Sequence, residues 1–203
     1  MARLLAQQRT DKNKLCPLHA PEVACIAKGK AHKKYEFGAK VALAVTNREG
    51  LVVGMQTHAG NPYDGQTLAP ALAQVERLTG TAPERCYVDR GYRGHQVEGE
   101  TAVFVAGRRR GMSPTIRREL RRRSAIEAMI GHMKRDGNLA RNHLKGALGD
   151  AIHALLCGAG HNLRLILRHL ARLLRALLRL LAALTPQRHA ALTPQRHAAL
   201  EAA

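Results

Sequence analysis

Aromatic side chains are scarce in this chain: Trp is absent, and two Phe and four Tyr make up 3% of the residues. That scarcity argues against a reader of single strands, which stacks bases on exposed rings. Cysteine is almost as thin. Cys16, Cys25, Cys86 and Cys157 show no C-x-x-C pairing and no regular spacing, so neither a zinc knuckle nor a disulfide framework is expected. Reduced thiols in a cytoplasmic setting are the expectation. The eleven histidines contain no H-E-x-x-H pattern, which speaks against a zinc enzyme. No uninterrupted apolar run is long enough to cross a bilayer, because arginines break the Leu-rich C-terminal stretch, and the N-terminus has no apolar signal segment. No membrane partner follows.

Acids are the other shortage. Fifteen Asp and Glu face 33 Lys and Arg, a formal net charge of +18. A polyanionic partner is the first expectation from such an imbalance. With 45% hydrophobic residues the chain can still bury a core, built from Leu, Val, Ile and Ala. Its length suits one domain with an appendage.

Residues 1–36 read as a polar, Lys-rich connector, broken by Pro17 and Pro21, with a short strand around Glu22 to Ile26. Lys40 to Thr46 and Leu51 to Thr57 are Val-rich runs flanking Asn47-Arg48-Glu49-Gly50, the chemistry of a hairpin turn. A helix is expected from Asp64, with Leu68, Leu72, Val75 and Leu78 at helical spacing and Gly80 as its stop. Strands are expected at Arg85 to Asp89 and at Thr101 to Ala106. The order β-β-α-β-β-α predicts a mixed sheet with helices packed on it.

Ser113 as N-cap and Pro114 at the first position open a helix expected to reach Lys134 and to end at Gly137. A last helix is expected from about Asp150 to Leu184, bent near Gly158 and Gly160. In it Leu163, Leu167, Leu170, Leu174, Leu177, Leu181 and Leu184 step by 4, 3, 4, 3, 4, 3, a heptad seam. Arg164, Arg168, Arg172, Arg175 and Arg179 form a stripe beside it. A solvated face, self-association and a DNA-phosphate contact all remain open for this helix. The block Ala183-Leu-Thr-Pro-Gln-Arg-His-Ala190 repeats at once as 191–198, and residues 185–203 read as a disordered tail.

Two acids stand out against the basic background. Asp89 closes a strand where Arg90-Gly91-Tyr92 must turn away from the sheet, a place where ligands collect. Glu127 lies mid-helix with apolar neighbours, and Ser124, Glu127 and Lys134 lie along roughly one side. The plain alternative for Glu127 is an i,i+4 ion pair with Arg123. Carboxylates flanked by cations suit a phosphodiester held by divalent ions, in which the acids hold the metal and the arginines the phosphates. Eight arginines and one acid, Glu119, fall between Arg108 and Arg123.

Val88-Asp89-Arg90-Gly91-Tyr92, followed by Leu120-x2-Arg123-x3-Glu127-x6-Lys134, resembles the DDE-type transposases of bacterial insertion sequences. Leu120 departs from the family's usual Tyr. Similarity continues through His19-Ala-Pro-Glu22, Lys28-Gly-Lys30, Tyr35-Glu-Phe-Gly38 and Gly60-Asn-Pro-Tyr-Asp-Gly65, covering roughly residues 11–170. The resemblance implies an RNase H-like α/β fold, here a partial catalytic domain over 37–162 followed by an amphipathic Leu/Arg helix at 163–184. It also implies catalysis with Mg²⁺ or Mn²⁺ and cleavage and transfer of double-stranded DNA at transposon ends. Asp89 and Glu127 take the places of the second and third acids, both metal ligands. Arg123 and Lys134, with Arg121 and Arg122 beside them, are placed on DNA. The family's first acid lies on a strand upstream of the His-Ala-Pro-Glu segment, where this chain has almost no sequence. A fragment lacking that acid and the N-terminal DNA-binding region is therefore expected, in the bacterial cytoplasm at the nucleoid. The alternative is a non-catalytic DNA-binding or dimerising remnant, working through its Arg cluster and Leu seam as a homo-oligomer.

Overall fold

The computed structural model describes residues 2–8, 10–11, 14–21, 23–27, 35–107 and 111–184. In chain order these form α1 (Ala2–Ala6), β1 (Ala24–Ala27), β2 (Tyr35–Gly38), β3 (Lys40–Val45), β4 (Val52–His58), α2 (Asp64–Thr79) and β5 (Arg85–Val88). A 3-10 turn at Arg90–Tyr92, β6 (Ala102–Val105), α3 (Pro114–Arg122), α4 (Ala125–Arg135) and α5 (Gly146–Leu184) complete the set. The repeat at 185–203, Lys28-Gly-Lys30, Glu22 and Arg108 to Arg110 lie outside the described residues.

The β3–β4 hairpin is the organising element. Gly50 takes the left-handed φ of +71° that its turn requires, and the Thr46 amide donates to the Leu51 carbonyl at 2.8 Å to close the loop. Antiparallel pairing runs from Lys40 opposite His58 to Val45 opposite Val52, with an irregularity at Ala44/Val45. Side chains alternate across the hairpin, so each face takes its own cover. On one face α2 packs against Gly54, where a Cβ would lie 3.1 Å from Val75 and 3.2 Å from Gln74 Oε1. Gln74 then donates its amide to the Met55 carbonyl. On the other face Met55 joins Met133, Ala154 and Cys157 in the core, flanked by Val41, Leu43 and Leu139. Met133 is fully buried.

The last helix meets the hairpin at Gly158, whose missing side chain admits Met55 Sδ and Val52 to about 3.1 Å of the Cβ position. No break interrupts α5 at the expected bend, and it begins at Gly146 rather than Asp150. Asn162 in that helix behaves as a short strand partner. Its Oδ1 accepts from the Val52 amide at 2.7 Å, and its Nδ2 donates to the Val52 carbonyl at 2.8 Å.

Two expectations are revised. The strands do not join into one mixed sheet: β1–β2 and β3–β4 pair antiparallel, β5–β6 pair parallel, and each pair stands as its own two-stranded sheet. Hairpin pairing is local. Joining the pairs needs a ladder between distant strands, and among the described residues none is formed. The helix expected from Ser113 to Lys134 is two helices. Ser113 does cap the first, accepting from the Ile116 amide at 3.3 Å, but the Ser124 hydroxyl donates to the Arg121 carbonyl at 2.8 Å. Ile126 and Glu127 donate to carbonyls three residues back. Such back-bonding and tight turns end α3 and restart the chain as α4. Within the stretch read as a connector, β1 pairs with β2 in register from Ala24 opposite Gly38.

By contacts the chain divides into two units, Met1–Arg164 and Leu165–Ala203, with α5 crossing the boundary.

Candidate nucleic-acid interface and its acids

Asp89 follows the last residue of β5 in extended conformation and caps the 3-10 turn, its Oδ1 accepting from the Arg90 amide at 2.7 Å. The turn that carries it is braced from below. Asp64, the first residue of α2, pairs with Lys40 Nζ at 2.5 Å, and the same ammonium donates to the Pro62 carbonyl. A Cβ on Gly91 would stand 2.5 Å from Asp64 Oδ2, so glycine is the residue that lets the turn close over the acid. The Tyr63 hydroxyl donates to the Arg93 carbonyl. Tyr92 is half-buried, and burial first, then the negative charges of Asp64 and Asp89, hold its phenol above the ordinary value despite a hydrogen bond with Thr67. The segments Gly60 to Gly65 and Val88 to Tyr92, far apart in the chain, are therefore one interlocked structure.

The second motif meets it through Arg123. Its Nη2 lies 3.9 Å from Asp89 Oδ1; the arginine is 19% exposed and the aspartate 59%. The i,i+4 pair between Arg123 and Glu127 is not among the ion pairs formed by the described residues. Glu127 is exposed, in the first turn of α4, where the positive end of the helix favours a carboxylate. Lys134 lies two turns on along the same side of α4, with its Nζ 3.5 Å from Glu36 Oε2 on β2. Arg121 and Arg122 are exposed. Arg122 joins Arg48, Arg85 and Arg118 around a cleft of about 620 Å³ at the other end of β5 from Asp89.

Several residues that sequence reasoning passed over shape this region. Glu119, the lone acid of the Arg cluster, accepts from the Tyr87 hydroxyl and pairs with Arg85 Nε at 3.2 Å. Its carbonyl takes the Asn47 amide at 3.0 Å. It is a clasp between α3, β5 and the hairpin turn, and its isolation among arginines was the available signal. Burial and the hydrogen bond to Glu119 push the Tyr87 phenol up to about 12. Burial alone pushes the Cys86 thiol up to about 11. His58 is held below its usual value by burial and by the charge of Lys40.

Asp89 and Glu127 offer hard oxygens open to solvent, the donor chemistry of a Mg²⁺ or Mn²⁺ site. They do not complete one. Among the described residues no group of three His, Cys, Asp or Glu comes together to hold a metal ion.

No helix among the described residues is long and apolar enough to cross a membrane. No curated protein and no solved structure matches the chain. The family model described as the transposase DDE domain matches residues 18–163, and this span takes in both acid-bearing motifs. By that match the chain belongs to the DDE transposase family.

Proposed function

We propose that this chain serves DNA transposition of a bacterial insertion sequence, as the part of a transposase that cuts and transfers DNA strands at the element's ends. In this reading it is an RNase H-like domain acting in the cytoplasm at the nucleoid. Asp89 and Glu127 supply two of the acids, and Arg121, Arg122, Arg123 and Lys134 hold backbone phosphates. The observation that carries the reading is the approach of Arg123 to Asp89 at 3.9 Å, because it ties the strand-end acid to the segment that bears Glu127. Arg123 also offsets the charge of Asp89, while the exposed guanidiniums of Arg121 and Arg122 remain available to a duplex. Mg²⁺ or Mn²⁺ would take Asp89 and Glu127 as two ligands and would need further oxygen donors.

The test is nicking of a duplex carrying the element's ends, with and without Mg²⁺ or Mn²⁺. Cleavage that needs the ion and falls at least 100-fold in Asp89→Asn and in Glu127→Gln supports the reading. Cleavage at full rate in both variants refutes the assignment of these acids.

The exposed Arg121 and Arg122, which need no metal ion to meet a phosphate, favour a second reading, non-catalytic DNA binding. It predicts salt-sensitive, sequence-tolerant binding that neither chelator nor Glu127→Gln changes.

A further inference from the structure

The cleft at the far end of β5 is built differently from the acid-bearing turn. It encloses about 620 Å³, within the range of small-ligand sites, and its walls come from the β3–β4 turn, the approach to β5, β5 itself and α3. The length of that strand, roughly 13 Å, separates Arg85 from Asp89. Arg85 is engaged by Glu119 at 3.2 Å, whereas Arg48, Arg118 and Arg122 have no acid partner among the described residues. Guanidiniums gathered around a concavity without counter-charge attract an anion, and their paired N–H groups match phosphate oxygens. The lining is not of one sign, however. Glu49 and Glu84 belong to it, exposed and likewise without an ion pair among the described residues. Asn47, in the same wall, gives its amide to the Glu119 carbonyl at 3.0 Å, and its Oδ1 is buried with no hydrogen-bond partner.

We infer that this cleft binds a nucleotide by its phosphates, as a site distinct from the acids and independent of the proposed function. Arg48, Arg118 and Arg122 take the phosphate oxygens, while hydroxyl and amino groups of the nucleoside donate to Glu49, Glu84 and Asn47 Oδ1. An ionised phosphate by itself only accepts, so it leaves those three acceptors unanswered. A DNA duplex is a poorer occupant. It carries a charge about every 1.7 Å of its axis, so a stretch laid across the cleft sets phosphates against Glu49 and Glu84 as well as against the arginines. A compact ligand with its charge at one end avoids that repulsion. Arg122 is the one residue that this cleft shares with the phosphate contacts of the proposed function.

The experiment is equilibrium dialysis of the full chain against ATP at about 0.15 M salt, with EDTA present so that no metal ion bridges the ligand to Asp89 or Glu127. One ATP per chain is expected, with a dissociation constant below about 1 mM. Pyrophosphate is expected to compete about tenfold more weakly, and adenosine, which has no phosphate, not to bind. Arg48→Gln with Arg118→Gln is expected to weaken binding by about tenfold or more, since it removes two charge-assisted contacts. Arg168→Gln with Arg172→Gln, an equal loss of charge outside the cleft, is expected to leave it unchanged. Because the first variant can misfold, a second measurement maps phenylglyoxal modification of the unaltered chain by mass spectrometry. ATP is expected to shield Arg48 and Arg118, and to leave Arg168 and Arg172 as reactive as before. Absence of saturable binding overturns the proposal, as does an equal fall in the two double variants, which makes the interaction one of net charge. Pyrophosphate binding as tightly as ATP overturns the nucleotide in favour of an anion alone. A random-sequence duplex that displaces ATP and loses as much affinity in Arg48→Gln with Arg118→Gln assigns the cleft to DNA and overturns it too.

Discussion

Substituting Gly91 by Ala isolates the packing that supports the strand-end acid. The new methyl would stand 2.5 Å from Asp64 Oδ2, well inside any real contact. Gly91 is not among the residues with positive φ, so the backbone itself accepts a side chain. The cost is therefore steric and falls on Asp64, whose other oxygen is held by Lys40 at 2.5 Å. Either the 3-10 turn shifts, or Asp64 rotates and gives up that ion pair. Overpacking of this kind costs about 1–3 kcal/mol, equivalent to a fall of roughly 2–12 °C in melting midpoint for a chain of this size. The decisive assay is a double-mutant cycle by urea denaturation. With Asp64→Ala the obstructing carboxylate is gone, and Gly91→Ala then becomes neutral or stabilises by up to about 1 kcal/mol, as expected of Gly-to-Ala at a permissive backbone. Equal destabilisation in both backgrounds would refute the steric account and the bracing role of Asp64 with it.

Other consequences follow from the same contacts. Asn162→Ala strands both polar backbone groups of Val52 and should cost about 2–4 kcal/mol, read by denaturation; Asn162→Asp, which sets a carboxylate oxygen against the Val52 carbonyl, should cost at least as much. Tyr87 has a folded pKa of about 12 against 10 when unfolded. The unfolded chain therefore releases its proton first, and stability present below pH 10 is lost as pH rises toward 12. Tyr87→Phe should flatten that loss, and phenolate absorbance should report Tyr87 ionising last. At pH 8, Cys25, which is exposed, should react with a maleimide fastest. Cys86, with its thiol pushed up to about 11, and buried Cys157 should react at least tenfold more slowly; equal rates would refute the partial burial of Cys86 and the burial of Cys157. Deleting the charge of Arg123 by Arg123→Ala should change stability by less than about 1 kcal/mol, because Asp89 is largely exposed.

Elements whose signals are local were legible in the sequence. The hairpin follows from a Gly-bearing turn between Val-rich runs, and α2 from its apolar spacing and Gly80, which caps it at a φ of +74°. Ser113 and Pro114 start α3 for the same kind of reason. The two-stranded grouping of the sheets was not legible, because strand partners are chosen across the chain by what lies beside each edge. The break at Arg123–Ser124 was also hidden, since a serine inside a basic helical run gives no warning that its hydroxyl will take the Arg121 carbonyl. β2 went unread because its four residues are too short for alternation to show.

The strand-end position of Asp89 and the helical position of Glu127 could be read along the chain, as could the excess of positive charge and the heptad of leucines. What belonged to tertiary structure alone was their company. Arg123 turns toward Asp89 instead of Glu127, Lys134 goes to Glu36, Asp64 lies under Gly91, and Glu119 clasps Tyr87 and Arg85. Periodicity and capping act within a few residues and so can be read along the chain. Long charged side chains choose among several partners within reach, and that choice is settled by the position of elements tens of residues away.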